Sequence, residues 1–241
     1  MKLVRTTWLI VVCIAASNLF ITHLAHANDP YAGKYDLLKP PQPTDNPEKV
    51  EVLEFFWYGC QHCYYSEIKL LQPWLKTKPD YAEFKRIPAV FSLKGGWTPA
   101  AKAYHTASAL DILEKIHLPF FEAIHGKKKQ RALLRDKSAI QGFFAKHGVS
   151  KEQFDNTYDS FWVGTLITKA KEMSKKYKIK GVPVVFVNGK YRLSSEKAGG
   201  YAEMQKVLNY LIEKEHRLIL ERKSKAAAEA HKMPTPEPVV K

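Results

Sequence analysis

Val52-Leu53-Glu54-Phe55-Phe56-Trp57-Tyr58-Gly59-Cys60-Gln61-His62-Cys63-Tyr64 decides how this 241-residue chain is read. The segment around Val52 to Phe56 has the near-continuous apolar character of a strand buried on both faces, and the pattern from Tyr64 onward is helical. Two cysteines three residues apart therefore stand where a strand gives way to a helix, share one face of the first turn, and can close a small ring. Cys60 lies at the helix mouth, where unpaired backbone N–H groups and the positive dipole end favour a thiolate over a thiol. Cys60 is thus the expected nucleophile, and Cys63, one turn deeper, the resolving cysteine. Zinc is a poor alternative because it usually takes four ligands, and Cys13 is the only other cysteine in the chain. A purely structural bridge is also a poor one, since stabilisation grows with the length of the closed loop.

Two neighbours of the cysteines are further candidates. His62 is placed to donate to, or electrostatically support, a Cys60 thiolate, although a lone histidine is more often structural. Glu54 is a carboxylate in an otherwise apolar strand, costly to bury without a partner or a role. Its bland alternative is a strand-end residue that reaches solvent. Trp57, Tyr58, Tyr64 and Trp97 could line an apolar rim for unfolded polypeptide, against the more ordinary reading of core aromatics.

Lys2 and Arg5 precede an apolar run from Trp8 to Ala16, and Ala25-His26-Ala27 supplies small residues at a cleavage site. Residues 1–27 are read as a secretory signal peptide, with Asn18 interrupting a run already too short to span a bilayer. Cleavage removes Cys13 and leaves about 214 residues with two cysteines, both in the motif. Stability must then come from an ordinary hydrophobic core and not from a disulfide framework. The formal charge of +14 falls to +12 with the leader, and residues 102–180 carry +8 of it. Those lysines are dispersed along helical faces apart from Lys127-Lys128-Lys129, so a solvated basic surface is expected and nucleic-acid binding is not.

Residues 28–49 form a Pro-, Asp- and Asn-rich lead-in with a short edge strand near Tyr35-Asp36-Leu37-Leu38, ended by Pro40 and Pro41. A strand over 50–57, a helix over 60–76 kinked or cut short at Pro73, and a strand over 84–90 make a strand-helix-strand unit. Helical periodicity then dominates, punctuated by Pro119 and by the Gly126-Lys127-Lys128-Lys129 segment, with Ser150 and Gln153 as a capping box. Val184-Val185-Phe186-Val187 and Lys190-Tyr191-Arg192-Leu193 flank Asn188-Gly189, a strong hairpin signal. A last helix over 202–223 carries Met204, Val207, Leu208, Leu211 and Ile212 on its core face. Residues 224–241 are poor in hydrophobic side chains and are read as a disordered tail.

This order of elements resembles the thioredoxin fold of DsbA-like thiol:disulfide oxidoreductases over roughly residues 35–213. The resemblance rests on Val52-Leu53-Glu54-Phe55-Phe56 leading into Cys60-Gln61-His62-Cys63-Tyr64, on Gly181-Val182-Pro183 leading into Phe186-Val187-Asn188-Gly189-Lys190-Tyr191, and on Pro119-Phe120-Phe121-Glu122. It implies an α/β thioredoxin-like domain over 50–99 and 179–223, with a helical insertion over 100–178. It further implies a cis Val182–Pro183 bond facing the cysteines, an edge at Val182 that pairs with extended substrate, and a supporting role for His62. Glu54 is then the buried acid that assists proton transfer, and Arg86 occupies the place of its usual lysine partner. Gln61 departs from the proline typical of strongly oxidising members, so it bears on both the potential and the substrate contact.

The function expected on these grounds is that of a periplasmic, signal-peptide-exported enzyme. It donates the Cys60–Cys63 disulfide to reduced or unfolded exported proteins and is reoxidised by a DsbB-like membrane partner. It needs no metal, flavin or nucleotide, and a monomer is favoured. A reductase or isomerase on the same fold is the nearest alternative, and Val182 fits it less well than the threonine common in isomerases. A non-catalytic peptide-binding, chaperone-like module would not need both cysteines.

Overall fold

The computed structural model describes residues 29–93, 96–127 and 129–232. The expected leader, Lys128 and residues 233–241 of the expected tail lie outside them. The described residues divide between two units, 29–33 in the first and the remainder from 34 in the second. In the first, the Ala32 amide donates to the Asp29 carbonyl at 3.0 Å and makes a turn; all that follows concerns the second.

Five strands, β1 (Asp36–Leu37), β2 (Val50–Phe56), β3 (Ala82–Pro88), β4 (Val184–Val187) and β5 (Tyr191–Leu193), form one sheet in the order β1-β5-β4-β2-β3. β2 runs parallel to β3 and antiparallel to β4, and this double pairing buries all seven of its residues. β3 begins and ends two residues earlier than the expected 84–90, because its extent is set by pairing with β2 from Val50↔Ala82 to Phe56↔Pro88. Pro88, with no N–H for a ladder, closes this edge strand.

The chain leaves β2 into α1 (Gln61–Ser66), a widened turn (Glu67–Leu71) and α2 (Gln72–Leu75). Pro73 was expected to kink or shorten this helix, yet helical geometry continues to Leu75. The preceding turn widens instead, with the Gln72 amide bonded to the Glu67 carbonyl. A proline ring clashes with the carbonyl four residues earlier, and a wider turn relieves that clash.

The insertion comprises α3 (Trp97–Ala109), α4 (Leu113–His125), a 3₁₀ turn (Arg131–Leu134), α5 (Lys137–Ala145), α6 (Lys151–Tyr158) and α7 (Phe161–Lys176). Pro119 lies inside α4 and does not punctuate it. An interior proline costs about 3 kcal/mol, but Ile116, Phe120, Phe121 and Ile124 are all buried on the same helix. Each contributes about 1.5–3 kcal/mol by leaving water, so packing outweighs the lost hydrogen bond. The capping box forms as expected, with the Ser150 side chain accepting from the Gln153 amide and the Gln153 side chain from the Ser150 amide.

The buried residues gather in several clusters on the sheet. Phe56, Tyr58 and Cys63 pack with Tyr104, Phe120, Phe121, Phe144 and Phe154 of the insertion. Leu53, Phe55, Tyr177, Val184 and Phe186 pack on the other part of the sheet. At the β4–β5 hairpin, Asn188 and Gly189 both take positive φ (52° and 64°). A Cβ on Gly189 would stand 2.0 Å from the Gln42 carbonyl oxygen, so only glycine fits there.

After α8 (Ser195–Ala198) comes α9 (Tyr201–Lys232). The expected stripe of Met204, Val207, Leu208, Leu211 and Ile212 is buried. The helix does not end at 223, however, and residues 224–232 are helical where a disordered tail was expected. Their Ala, Lys and Glu content is poor in burial but strong in helix propensity. No described helix is long and apolar enough to cross a membrane. The sum is a thioredoxin-like strand-helix-strand core with a helical insertion ahead of its C-terminal hairpin and helices.

Candidate active site

The end of β2 delivers the chain into a tight turn in which the Cys60 amide donates to the Trp57 carbonyl at 2.9 Å. A Cβ on Gly59 would lie 2.4 Å from the Trp57 indole, so this glycine lets the ring lie across the turn. The indole N–H donates to the Gly96 carbonyl at 3.2 Å, and the ring packs on Trp97 with centroids 4.3 Å apart.

Cys60 is the N-cap residue of α1, and its sulfur accepts from the Cys63 amide at 3.4 Å. The same sulfur lies 3.4 Å from the Val182 carbonyl, where the Val182–Pro183 peptide is cis as the resemblance implied. Both cysteines are thiols, Cys60 half-buried and Cys63 buried. Their acidities are pushed apart. The hydrogen bond from the Cys63 thiol is the main influence lowering Cys60 to about 6; the amides of Cys63 and His62 and the charge of His62 add to it against partial burial. Burial pushes Cys63 well above the ordinary thiol range, and the hydrogen bond and charge of Cys60 and the charge of Glu54 add to that. Of the pair, Cys60 is the sulfur that ionises.

His62 and Gln61 are exposed on the first turn. The His62 carbonyl accepts from the Tyr201 hydroxyl at 3.0 Å, and the Gln61 amide donates to the Tyr65 hydroxyl at 2.9 Å. The expected apolar rim is partly corrected: Trp57, Tyr64 and Trp97 are half-buried, but Tyr58 is buried in the core because its ring packs on Phe120 and Phe121.

Glu54 does not reach solvent; it is buried, directly across from Arg86 in the parallel register of β2 and β3. The Arg86 Nε lies 3.6 Å from Glu54, while Arg86 Nη2 donates to Glu67 Oε1 at 2.9 Å. Glu67 also accepts from the Gln72 amide at 2.7 Å, and His117 Nε2 of α4 stands 3.5 Å from its other oxygen. Burial, then the Glu67 charge, raises Glu54 against the opposing pull of Arg86. Burial also acts on Glu67, but the polar groups that face it, His117, Arg86 and Gln72, outweigh it and hold that carboxyl low.

Glu67 and His117 escaped the sequence reading. Glu67 follows Cys63 by four residues, a spacing that puts both on one helix face and could have flagged it. His117 carried no such signal, being one polar residue on the apolar face of a helix distant in sequence.

An activated thiol at a helix mouth, a buried second thiol and a buried acid coupled electrostatically to both, on a thioredoxin-like sheet, define a thiol:disulfide oxidoreductase of the thioredoxin fold. Residues 76–211 match the DSBA-like thioredoxin domain. The chain is 40% identical over 203 residues to thiol:disulfide interchange protein DsbA of Pseudomonas aeruginosa, covering 84% of this chain and 93% of that one. Identity to the protein of the same name from Burkholderia cepacia is 37% over 216 residues, 88% of this chain and 96% of the relative. The crystal structure of Pseudomonas aeruginosa DsbA superposes with a TM-score of 0.69 at 37% identity, covering 82% of this chain and 95% of that chain. This chain belongs to the DsbA family.

Proposed function

We propose that the protein is exported to the periplasm and donates its Cys60–Cys63 disulfide to reduced, unfolded exported proteins. A substrate thiolate attacks the Cys60 sulfur, forming a mixed disulfide and leaving the Cys60–Cys63 bonding electrons on Cys63, which takes up a proton. A second substrate thiolate then attacks the substrate sulfur of the mixed disulfide and expels Cys60 as a thiolate. The substrate leaves with a disulfide and the enzyme with a dithiol, which a membrane partner resembling DsbB reoxidises.

The observation that carries this reading is the unequal setting of the two cysteines: Cys60 caps α1 half-exposed, its sulfur accepting from the Cys63 amide, while Cys63 is buried one turn in, and their acidities follow. A low-pKa Cys60 is a good leaving group, and a stabilised thiolate favours the reduced enzyme, which makes its disulfide an oxidant. Glu54, buried and raised in pKa, supplies the proton to Cys63. The Val182 carbonyl beside Cys60 supports pairing of an extended substrate segment along that edge, with His62 supporting the thiolate and Gln61 exposed to the incoming chain.

Equilibration against a glutathione buffer tests the direction. A potential less negative than roughly −180 mV is expected, together with oxidation of a reduced protein substrate. A value near about −270 mV would make the protein a reductant. Binding of unfolded protein with no thiol exchange would leave only a chaperone-like module.

A further inference from the structure

We propose that His117 is a positioning residue: it holds the negative charge shared by two buried acids on Glu67, and so keeps Glu54 protonated and ready to neutralise Cys63. The inference rests on the reading of Glu54 as the proton donor.

Two carboxyl side chains, each no more than 2% exposed, share one guanidinium that is itself 4% exposed. With both acids ionised the cluster carries an excess negative charge away from water, which disfavours one of the two charges. The choice between them follows from the donors. Among the described residues, Glu67 takes hydrogen bonds from Arg86 at 2.9 Å and Gln72 at 2.7 Å and has His117 Nε2 facing its second oxygen at 3.5 Å, whereas Glu54 has only the Arg86 Nε at 3.6 Å. The remaining groups facing the cluster do not reverse this. Tyr104 of α3 donates to the Arg86 carbonyl, and Glu114 of α4 lies 3.8 Å from the guanidinium but is 79% exposed. Cys60 and Cys63 are neutral or anionic, and so add no positive charge.

His117 acts through its tautomer. It is buried, and burial keeps its ring neutral. Its Nδ1 lies 2.8 Å from the Tyr58 hydroxyl, and the tautomer that serves Glu67 has that hydroxyl donating to Nδ1 and the single ring proton on Nε2, 3.5 Å from the carboxylate. The opposite tautomer would turn a nitrogen lone pair toward a carboxylate. When a substrate thiolate breaks the Cys60–Cys63 bond, the proton moves from Glu54 to the Cys63 sulfur. Glu54 is left as a carboxylate opposite Arg86, and solvent restores its proton.

Carbon-13 titration of the Glu54 and Glu67 carboxyls in the reduced full-length protein tests this. In His117→Leu the Glu67 midpoint is expected to rise, and that of Glu54 to fall, by up to about one pH unit, for the loss of a buried N–H that faces the carboxylate at 3.5 Å. His117→Gln, which restores an N–H donor, is expected to return both toward wild type. Unchanged midpoints in folded His117→Leu would overturn the proposal. Should that variant not fold, imidazole nitrogen-15 shifts of the unmodified protein decide: a neutral ring protonated at Nε2 is required, and protonation at Nδ1 overturns it. In Glu54→Gln, an unaltered pH profile for Cys63 release would sink the proton-donor reading alone, leaving the carboxyl titrations to judge His117.

Discussion

Cys60 and Cys63 are the same side chain three residues apart, and their surroundings give them different chemistry. Cys60, at the helix mouth, collects a thiol and two amide donors and falls to about 6, while Cys63, one turn in, is buried and raised. The geometry also separates them by access, since only Cys60 is half-exposed. Cys63→Ala is therefore expected to accumulate mixed disulfides through Cys60, because the Cys60 thiolate still attacks a disulfide of an oxidised substrate, expelling one substrate thiolate, while intramolecular release by Cys63 is lost. Cys60→Ala is expected to trap almost none. Mass spectrometry finding equal trapping through Cys63 would reverse the two roles.

At the scale of elements, local propensity and packing each won somewhere. Pro119 stays within α4 because four buried apolar residues outweigh one missing hydrogen bond, and Pro73 is absorbed by a widened turn that carries Glu67. The distal part of α9 is the converse case, since residues 224–232 are helical although their classified side chains are exposed. Helix propensity needs no tertiary partner to act, but it adds little to global stability. Deleting residues 224–241 is expected to change stability by less than about 0.5 kcal/mol and to leave thiol oxidation intact. A larger loss in thermal or urea unfolding would mean that this part of the chain packs on the domain.

For the molecule as a whole, the Cys60 thiolate couples folding to pH and to redox state. Its folded pKa of about 6 lies below the ordinary value of about 8.5. The reduced protein therefore gains stability that is fully present above about 8.5 and lost as pH falls through about 6. Between those values the gain is up to about 1.4 kcal/mol per pH unit, less the screening of a half-buried sulfur. Cys63 remains a thiol over this window, and ring closure in the oxidised form sets only a constant offset. Urea unfolding of both redox forms at pH 6, 7 and 8 is expected to show the reduced form gaining on the oxidised one at each step. A constant difference would remove the stabilised thiolate from the account.

The chain by itself determined the alternation of strand, helix, insertion and hairpin, and within it the two cysteines, Pro183 and the oddity of Glu54 in an apolar strand, whose burial the structure decided. Those features are written in local patterns: an apolar run broken by one acid, a three-residue spacing at a helix start, and Asn188-Gly189 between two strands. The resemblance already paired the acid with Arg86, and only the tertiary structure decided what else surrounds it. Arg86 reaches it through strand register, Glu67 through a widened turn, and His117 through a helix some sixty residues away in sequence. Electrostatic partnership acts through space across a few ångströms of poorly solvated interior. No pattern along the chain records which distant side chain will share that space.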